Sequence, residues 1–326
     1  RMAAECWERH GPPDDVEGTG LYSAVCLELG DVSRVRRATE GLLGLGADLR
    51  LVYQPLFLAA LFAKGLIGRE HVQTDEGSPA SLLQRAAQLA QLCEPAGISF
   101  RRHGALLLPP GGFSGVGGRA RVLAEGFNHP APSLGPRCPD PTLGGVVRTF
   151  ASVSEAELAG IPLRQRRPRP AQRHAEVHCL LQLQRLAGAA GSEILIVELA
   201  DVGPLFRWAE PCSRGCMQLL MKFGVSQIHF TDGRGGFVTR GLSCTPDLDL
   251  PSKTFASSSR LAGDIISERA HLDVEEKLQR EDAGLPVWTR EELVAQGAAE
   301  AAEARARAPQ SLRGSVFPLP RRRPAR

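Results

Sequence analysis

The sequence predicts an α/β sandwich, and three observations carry that prediction. From His174 onward, helical and strand patterns alternate: a helix from 174 to about 187, a strand "EILIVEL" at 193–199, a helix at 212–223 and a strand "SQIHFTD" at 226–232. That order calls for parallel strands joined by crossover helices. Upstream, two short apolar runs bounded by turn residues, "HGALLLPPGG" and "ARVLAEGFNHP", read as a strand pair around a glycine-rich connection. Finally, 326 residues with 43% hydrophobic and 23% charged content are enough for one large domain with appendages.

Within residues 1–77, Asp31 opens a helix whose stripe is Val32, Val35, Thr39 and Leu42. The apolar run Leu51 to Ala63 is broken by Gln54 and Pro55 and falls short of the ~20 residues that cross a bilayer, so it reads as a buried helix. The next helix has Ser78 as N-cap, Pro79 in its first turn, a stripe of Leu82, Ala86, Leu89 and Cys93, and a stop at Pro95. Residues 129–173 hold many prolines and glycines and read mostly as a looped insertion, with helical patterning only near "SVSEAELAG". After "GRGG", the segment "FVTRG" is expected to return as a hairpin strand. Thr289 and Glu292 form a capping box for a charged helix to about 307, and the basic, proline-rich end is expected to be disordered. The division is therefore an N-terminal helical extension (1–77), a central domain (78–250) with its insertion (129–173), and a C-terminal helical extension with a basic tail (251–326).

A formal charge of +3 does not by itself indicate a nucleic-acid partner, and no segment suggests membrane insertion. Eight scattered cysteines predict reduced thiols or metal ligands in an intracellular, cytoplasmic or nuclear, setting. The chain opens on Arg1–Met2, which leaves organellar targeting open.

The chemistry concentrates in two stretches, "RHAEVHC" and "AEPCSRGC". Each lies at the start of a predicted helix, and crossover geometry brings both starts to one edge of the sheet. His174, Cys212 and Cys216 are then three soft donors suited to tetrahedral Zn2+ with one open position. Cys212 and Cys216 are expected to open one helix and share a face at i,i+4, with thiol pKa values lowered by the helix start. Zinc lowers the pKa of a bound water from about 15.7 to roughly 7, and Glu176, two residues from the histidine, is placed to move protons without binding the metal. His174 and His178 also share i,i+4 spacing, but Ala175 stands where a zinc protease needs glutamate.

This pairing of H-x-E with a later P-C…C resembles the zinc-dependent cytidine deaminase-like superfamily over about residues 79–240. The resemblance implies a three-layer α/β/α sandwich with a mixed, roughly five-stranded sheet. It also implies zinc on His174, Cys212 and Cys216, and Glu176 as the catalytic proton carrier. "AEGFN" resembles the family's G-x-N element, which makes Asn128 a contact to the substrate sugar; Ala175, Trp208, Glu210 and Pro211 would line the pocket, Trp208 by stacking on the base. Three residues separate the cysteines here, Ser213 to Gly215, where two are usual.

The activity implied is hydrolytic deamination of a nucleobase exocyclic amine, with cytosine in a CMP- or dCMP-type nucleotide or nucleoside foremost. A tRNA adenosine deaminase and a riboflavin-pathway pyrimidine deaminase are the alternatives of the same fold, and "HAEVH" and "EPCS" are closest to the latter. A fifth strand returning directly resembles the branch acting on small free substrates, whereas an intervening helix would point to the branch acting on nucleic acid or deoxycytidylate. The alternative of another class is a non-catalytic, zinc-stabilised RNA- or protein-binding module, for which Arg164, Arg166, Arg167, Arg169 and the tail Arg321–Arg323 are the candidate grip. The resemblance also suggests a homo-oligomer. Cys179 is expected in the core, and Cys138 is weighed as a second metal ligand.

Overall fold

In the computed structural model, residues 31–53, 55–72, 77–93, 101–113, 121–150, 152–199, 206–233, 236–242 and 260–307 are described, with Thr19, Tyr22, Ser23 and Cys26. The elements are α1 (Val32–Gly44), α2 (Leu49–Val52), α3 (Pro55–Ala63), α4 (Pro79–Gln91), β1 (Arg102–Leu108), β2 (Ala124–Phe127), β3 (His129–Leu134), β4 (Arg137–Asp140), β5 (Val146–Thr149), α5 (Val153–Leu158), β6 (Arg169–Arg173), α6 (Ala175–Leu181), β7 (Glu193–Leu199), α7 (Cys216–Lys222), β8 (Gln227–Thr231), β9 (Phe237–Gly241), α8 (Arg260–Asp282) and α9 (Arg290–Arg307).

The central sheet runs in the order β2-β1-β7-β8-β9. β7 and β8 are parallel, as a crossover through α7 requires, and the remaining neighbours are antiparallel. β7 is buried along its whole length, which explains why its centre, Ile194 to Val197, is continuously apolar instead of alternating. One sheet face, through Leu106, Leu108, Leu195 and Val197, packs on α4 and the N-terminal helices. The other, through Ala105, Leu107, Ile194 and Ile196, packs on α6, α7, α8 and the start of α9. The chain is thus an α/β/α sandwich around a mixed five-stranded sheet.

Two glycines set how closely the layers approach. A Cβ on Gly104 would sit 2.0 Å from the Ala86 carbonyl oxygen of α4, and one on Gly126 would sit 2.1 Å from the Ala175 carbonyl oxygen of α6. Neither position tolerates a side chain, so α4 and α6 lie directly on β1 and β2 from opposite faces.

Local signals account for much of the rest. Asp31 and Ser78 cap α1 and α4 by accepting from the Arg34 and Ser81 amides. Thr289 and Glu292 close the capping box reciprocally, at 3.1 and 2.7 Å. The apolar run from Leu51 is not one helix: α2 ends before Tyr53 and α3 restarts at Pro55, because proline cannot accept a place inside a helix but suits its first position. Pro95 and Arg321–Arg323 lie outside the described residues.

The looped reading of 129–173 is corrected. That stretch builds two small antiparallel sheets, β3 with β6 and β4 with β5, and only α5 falls where helical patterning pointed. Prolines at 130, 132, 139 and 170 disguise the strands, yet proline is tolerated in two-stranded sheets where one edge of each strand needs no donor. Cys138 is buried with Phe150, Ala156 and Ile161 in a core of the insertion's own, so it packs there and has no place among metal ligands. The helix from 174 also stops early, at Leu181, where Glu281 of α8 accepts the Leu186 amide at 2.8 Å and turns the following segment.

α8 has the longest reach across the second layer. Along β6, Arg169 pairs with Glu268, Ala171 packs with Ile265 and Arg173 pairs with Asp273. No helix among the described residues is long and apolar enough to cross a membrane.

Candidate metal centre

β6 delivers His174 to the carboxyl end of the sheet. The backbone of His174 is still extended (φ −77°, ψ 154°) and α6 begins at the next residue. His174 gives α6 no side-chain cap. Asn128, at the end of β2, fills that role: its Oδ1 accepts from the Ala175 amide at 2.8 Å, while its Nδ2 donates to the Arg101 carbonyl at 3.2 Å. Asn128 is 1% exposed, with both ends of its carboxamide engaged inside the chain. The structure therefore gives it the work of fixing the start of α6, and with it His174 and Glu176.

The two cysteines approach from the other side, and the helical i,i+4 expectation for them is corrected. Cys212 precedes α7 in a turn; the helix starts only at Cys216, after Gly215. The turn folds Cys212 back, so its carbonyl accepts from the Met217 amide at 3.0 Å and its Sγ accepts from the Cys216 amide at 3.3 Å. A side chain at position 215 would meet both Cys212 Sγ and the Ser267 backbone of α8, at 3.3 and 3.2 Å, and glycine leaves that space to them.

The donor atoms of His174, Cys212 and Cys216 all lie within 4.8 Å of one another, and Cys216 Sγ is 3.4 Å from His174 Nδ1. Bond lengths of about 2.3 Å to sulfur and 2.0–2.1 Å to nitrogen place the donors of a tetrahedral site roughly 3.5–3.8 Å apart. The cluster is thus of a size and chemistry that can hold a metal ion. The hydrogen bond from the Cys216 thiol, helped by His174, drives Cys212 well below an ordinary thiol, while the same bond together with burial drives Cys216 well above it. Burial opposes charge on His174, yet the bond to Cys212 and its negative charge raise the imidazole above its usual value.

Glu176 stands beside this cluster. It is 0% exposed, neither carboxylate oxygen is bonded to a backbone N–H or a cationic side chain, and it acts on the cluster itself, on His174 through its charge and on Cys216 through its charge and a side-chain interaction with the thiol. Of the other anticipated residues, Ala175 is buried with its amide taken by Asn128. Trp208 donates through Nε1 to Glu210 at 3.0 Å and lies edge-on to Phe230, and Glu210 is also held by Arg240 at 2.6 Å. Pro211 is buried between Glu210 and Cys212. His178 is packed, 0% exposed and T-shaped against His129 with ring centroids 4.4 Å apart. Cys179 is a buried core thiol. Among the arginines of the insertion, Arg169 is committed to Glu268 and Arg166 to Glu157, while Arg164 and Arg167 are exposed.

Sequence reasoning missed one polar pair at this end of the sheet. His103 and Glu198 are register partners on β1 and β7, face the α6 side, and meet at 2.9 Å with 4% and 0% exposure. The His103 ring lies 6.4 Å from that of His174. Burial would raise Glu198, but the charge and hydrogen bond of His103, aided by Arg101 and Arg207, hold it below the usual carboxylate range. The available signal was a glutamate inside an otherwise apolar strand.

Fold and site together define a class: an α/β/α sandwich with a His–Cys–Cys donor set, its cysteines buried and its histidine half-buried, and an adjacent carboxylate at the carboxyl end of its parallel strands. Comparison of the chain with protein-family models, with curated proteins and with solved structures gives no match.

Proposed function

We propose that the chain is a zinc-dependent hydrolytic deaminase that converts a nucleobase exocyclic amine to a carbonyl, with cytosine in a small free nucleotide or nucleoside of the CMP or dCMP type as substrate. The observation that carries the reading is Glu176: a fully buried carboxylate whose interactions are with the cluster's own His174 and Cys216, placed against three metal-competent donors. A buried carboxylate with no cation or backbone N–H bonded to it is costly to keep, and a proton-transfer role accounts for it.

His174, Cys212 and Cys216 would hold zinc, which when bound supplies a water of lowered pKa. Glu176 takes a proton at a carboxylate oxygen, delivers it to the ring nitrogen next to the amine-bearing carbon, and carries a further proton to the departing amine, which leaves as ammonia. Water supplies the new carbonyl oxygen, so the sum is amine plus water to carbonyl plus ammonia. Asn128 keeps the start of α6 against β2, which holds Glu176 and His174 in register during these transfers.

The substrate class draws support from the sheet edge. Only Asp232 to Gly236 lie between β8 and β9, and β9 returns antiparallel without a helix. Under the resemblance drawn from the H-x-E and P-C…C motifs, that topology accompanies small free substrates and favours cytidine and CMP over dCMP. The engagement of Arg166 and Arg169 in intrachain pairs points the same way.

The test combines metal analysis with ammonia release from CMP, dCMP, cytidine, adenosine-bearing tRNA and the riboflavin-pathway pyrimidine. The expected result is one zinc per chain and turnover of the cytosine compounds, with Glu176→Gln retaining zinc but lowering turnover by a hundred- to ten-thousandfold or more. Activity surviving that substitution overturns the mechanism, and zinc without turnover of any substrate favours the non-catalytic binding module.

A further inference from the structure

Gln172 is an outlier among the buried polar side chains. It is 1% exposed, and both its Nε2 and its Oε1 lack a hydrogen-bond partner. Its neighbours on β6 explain which way it faces. Arg169, Ala171 and Arg173 all turn toward α8, where they meet Glu268, Ile265 and Asp273. In extended backbone successive side chains alternate sides, so Gln172 faces away from α8. His174 lies two residues on, and its backbone continues the extended conformation, so Gln172 and His174 project to the same side. That is the side on which the His174 ring meets Cys216.

A carboxamide buried for packing alone would be better replaced by methionine or leucine, because each unpaired polar atom keeps an unrecovered loss of hydration. Such orphaned groups in a folded protein call for a specific explanation, and a ligand that completes them is one. The chemistry of the group narrows that ligand. Gln172 is neutral and offers two N–H donors and one acceptor oxygen. An anionic group would satisfy the donors but face the carboxamide oxygen with like charge, whereas a ring carbonyl flanked by an N–H or O–H matches both ends.

We propose that Gln172 is a specificity-determining residue that reads the substrate beside the metal cluster, donating to a ring carbonyl and accepting from an adjacent ligand donor. Cytidine presents such a pair in its O2 carbonyl and ribose 2′-hydroxyl. The inference rests on the deaminase reading and adds to it the identity of the residue that recognises the ring.

The experiment measures binding by titration calorimetry on the zinc-loaded full chain carrying Glu176→Gln, so that ligand is not consumed. Cytidine and 2-thiocytidine are the probes, the sulfur being the weaker acceptor. Adding Gln172→Met is expected to weaken cytidine binding about 10- to 100-fold and to erase the preference for cytidine over 2-thiocytidine. The same variant should keep its zinc and melt at the same or a higher temperature, a combination that a packing role would not give. Gln172→Asn, which keeps the carboxamide but shortens it, should melt like the parent and bind with intermediate affinity. Unchanged cytidine affinity in Gln172→Met overturns the inference alone, as does a lowered melting temperature in both variants. A parent that holds zinc but binds neither probe overturns the cytosine reading and this inference with it.

Discussion

Asp273 offers a demanding test of how α8 supports β6, the strand that leads to His174. It is 1% exposed and accepts from Arg173 Nε and Nη2, both at 2.9 Å, and from Arg269 Nε at 2.9 Å and Nη2 at 2.7 Å. Arg173 is itself 2% exposed and reaches the Leu293 carbonyl at 2.9 Å and Gln296 at 3.2 Å. Truncation to alanine leaves a buried guanidinium with its charge uncompensated, and removal of one partner from such a pair costs about 3–5 kcal/mol. The two contacts to α9 that Arg173 retains set the expectation for Asp273→Ala at the lower half of that range. Replacing both residues, as Arg173→Met with Asp273→Leu, removes the more deeply buried of the two stranded charges and leaves Arg269 with Glu276 at 3.9 Å, so the double variant should lie closer to the parent than Asp273→Ala does. The assay is urea unfolding followed by far-ultraviolet circular dichroism in chelator-treated buffer, which keeps metal binding out of the comparison. Because Arg173 directly precedes His174, zinc titration of Asp273→Ala should also show a 10- to 100-fold loss of affinity, the usual scale for groups that orient a ligand. A stability loss under about 1 kcal/mol, or a double variant less stable than Asp273→Ala, refutes the reasoning.

Two further outcomes follow from the site's surroundings. His129 is 2% exposed, and burial, reinforced by Arg173, lowers its pKa to about 4; His178, edge-on to it, is lowered for the same first reason. The unfolded chain therefore takes up these protons first, so stability should fall as pH drops from about 6.5 to 4, by about 3 kcal/mol for His129 alone. His129→Phe should flatten that part of the stability profile, and an unchanged profile contradicts the assignment. Gly126→Ala would press a methyl group against the Ala175 carbonyl and force the start of α6 back by about 1 Å, a displacement of the scale that costs around a hundredfold in rate. Full ammonia release from that variant would show that α6 is not positioned through this contact.

Much of the fold was legible because its signals are local. Asp31, Ser78 and Thr289 announce helix starts by side-chain chemistry, and β7 announces a central strand by being apolar on both faces. α8 was not read as an element, since the residues it buries include Arg269, Asp273 and Lys277. Their spacing of four is helical, but charged residues look solvated until Arg173 and the Gln184 carbonyl appear opposite Asp273 and Lys277. The strands of the insertion were hidden by proline, whose missing donor matters only once it is known which edge of each strand is paired.

The sequence by itself picked out the three donors and the carboxylate beside them, because histidine, cysteine and glutamate have few other reasons to recur at these spacings beside helix starts. It also determined the sandwich, through the alternation of apolar periods. Only the tertiary structure decided that Cys212 lies in a turn ahead of its helix, that Asn128 holds the start of α6, and that His103 meets Glu198 across two strands. It alone left Gln172 buried with nothing to bond. The physical reason is range: capping and periodicity act within a few residues, whereas register, crossover geometry and the desolvation of polar groups depend on which distant segment arrives to cover them.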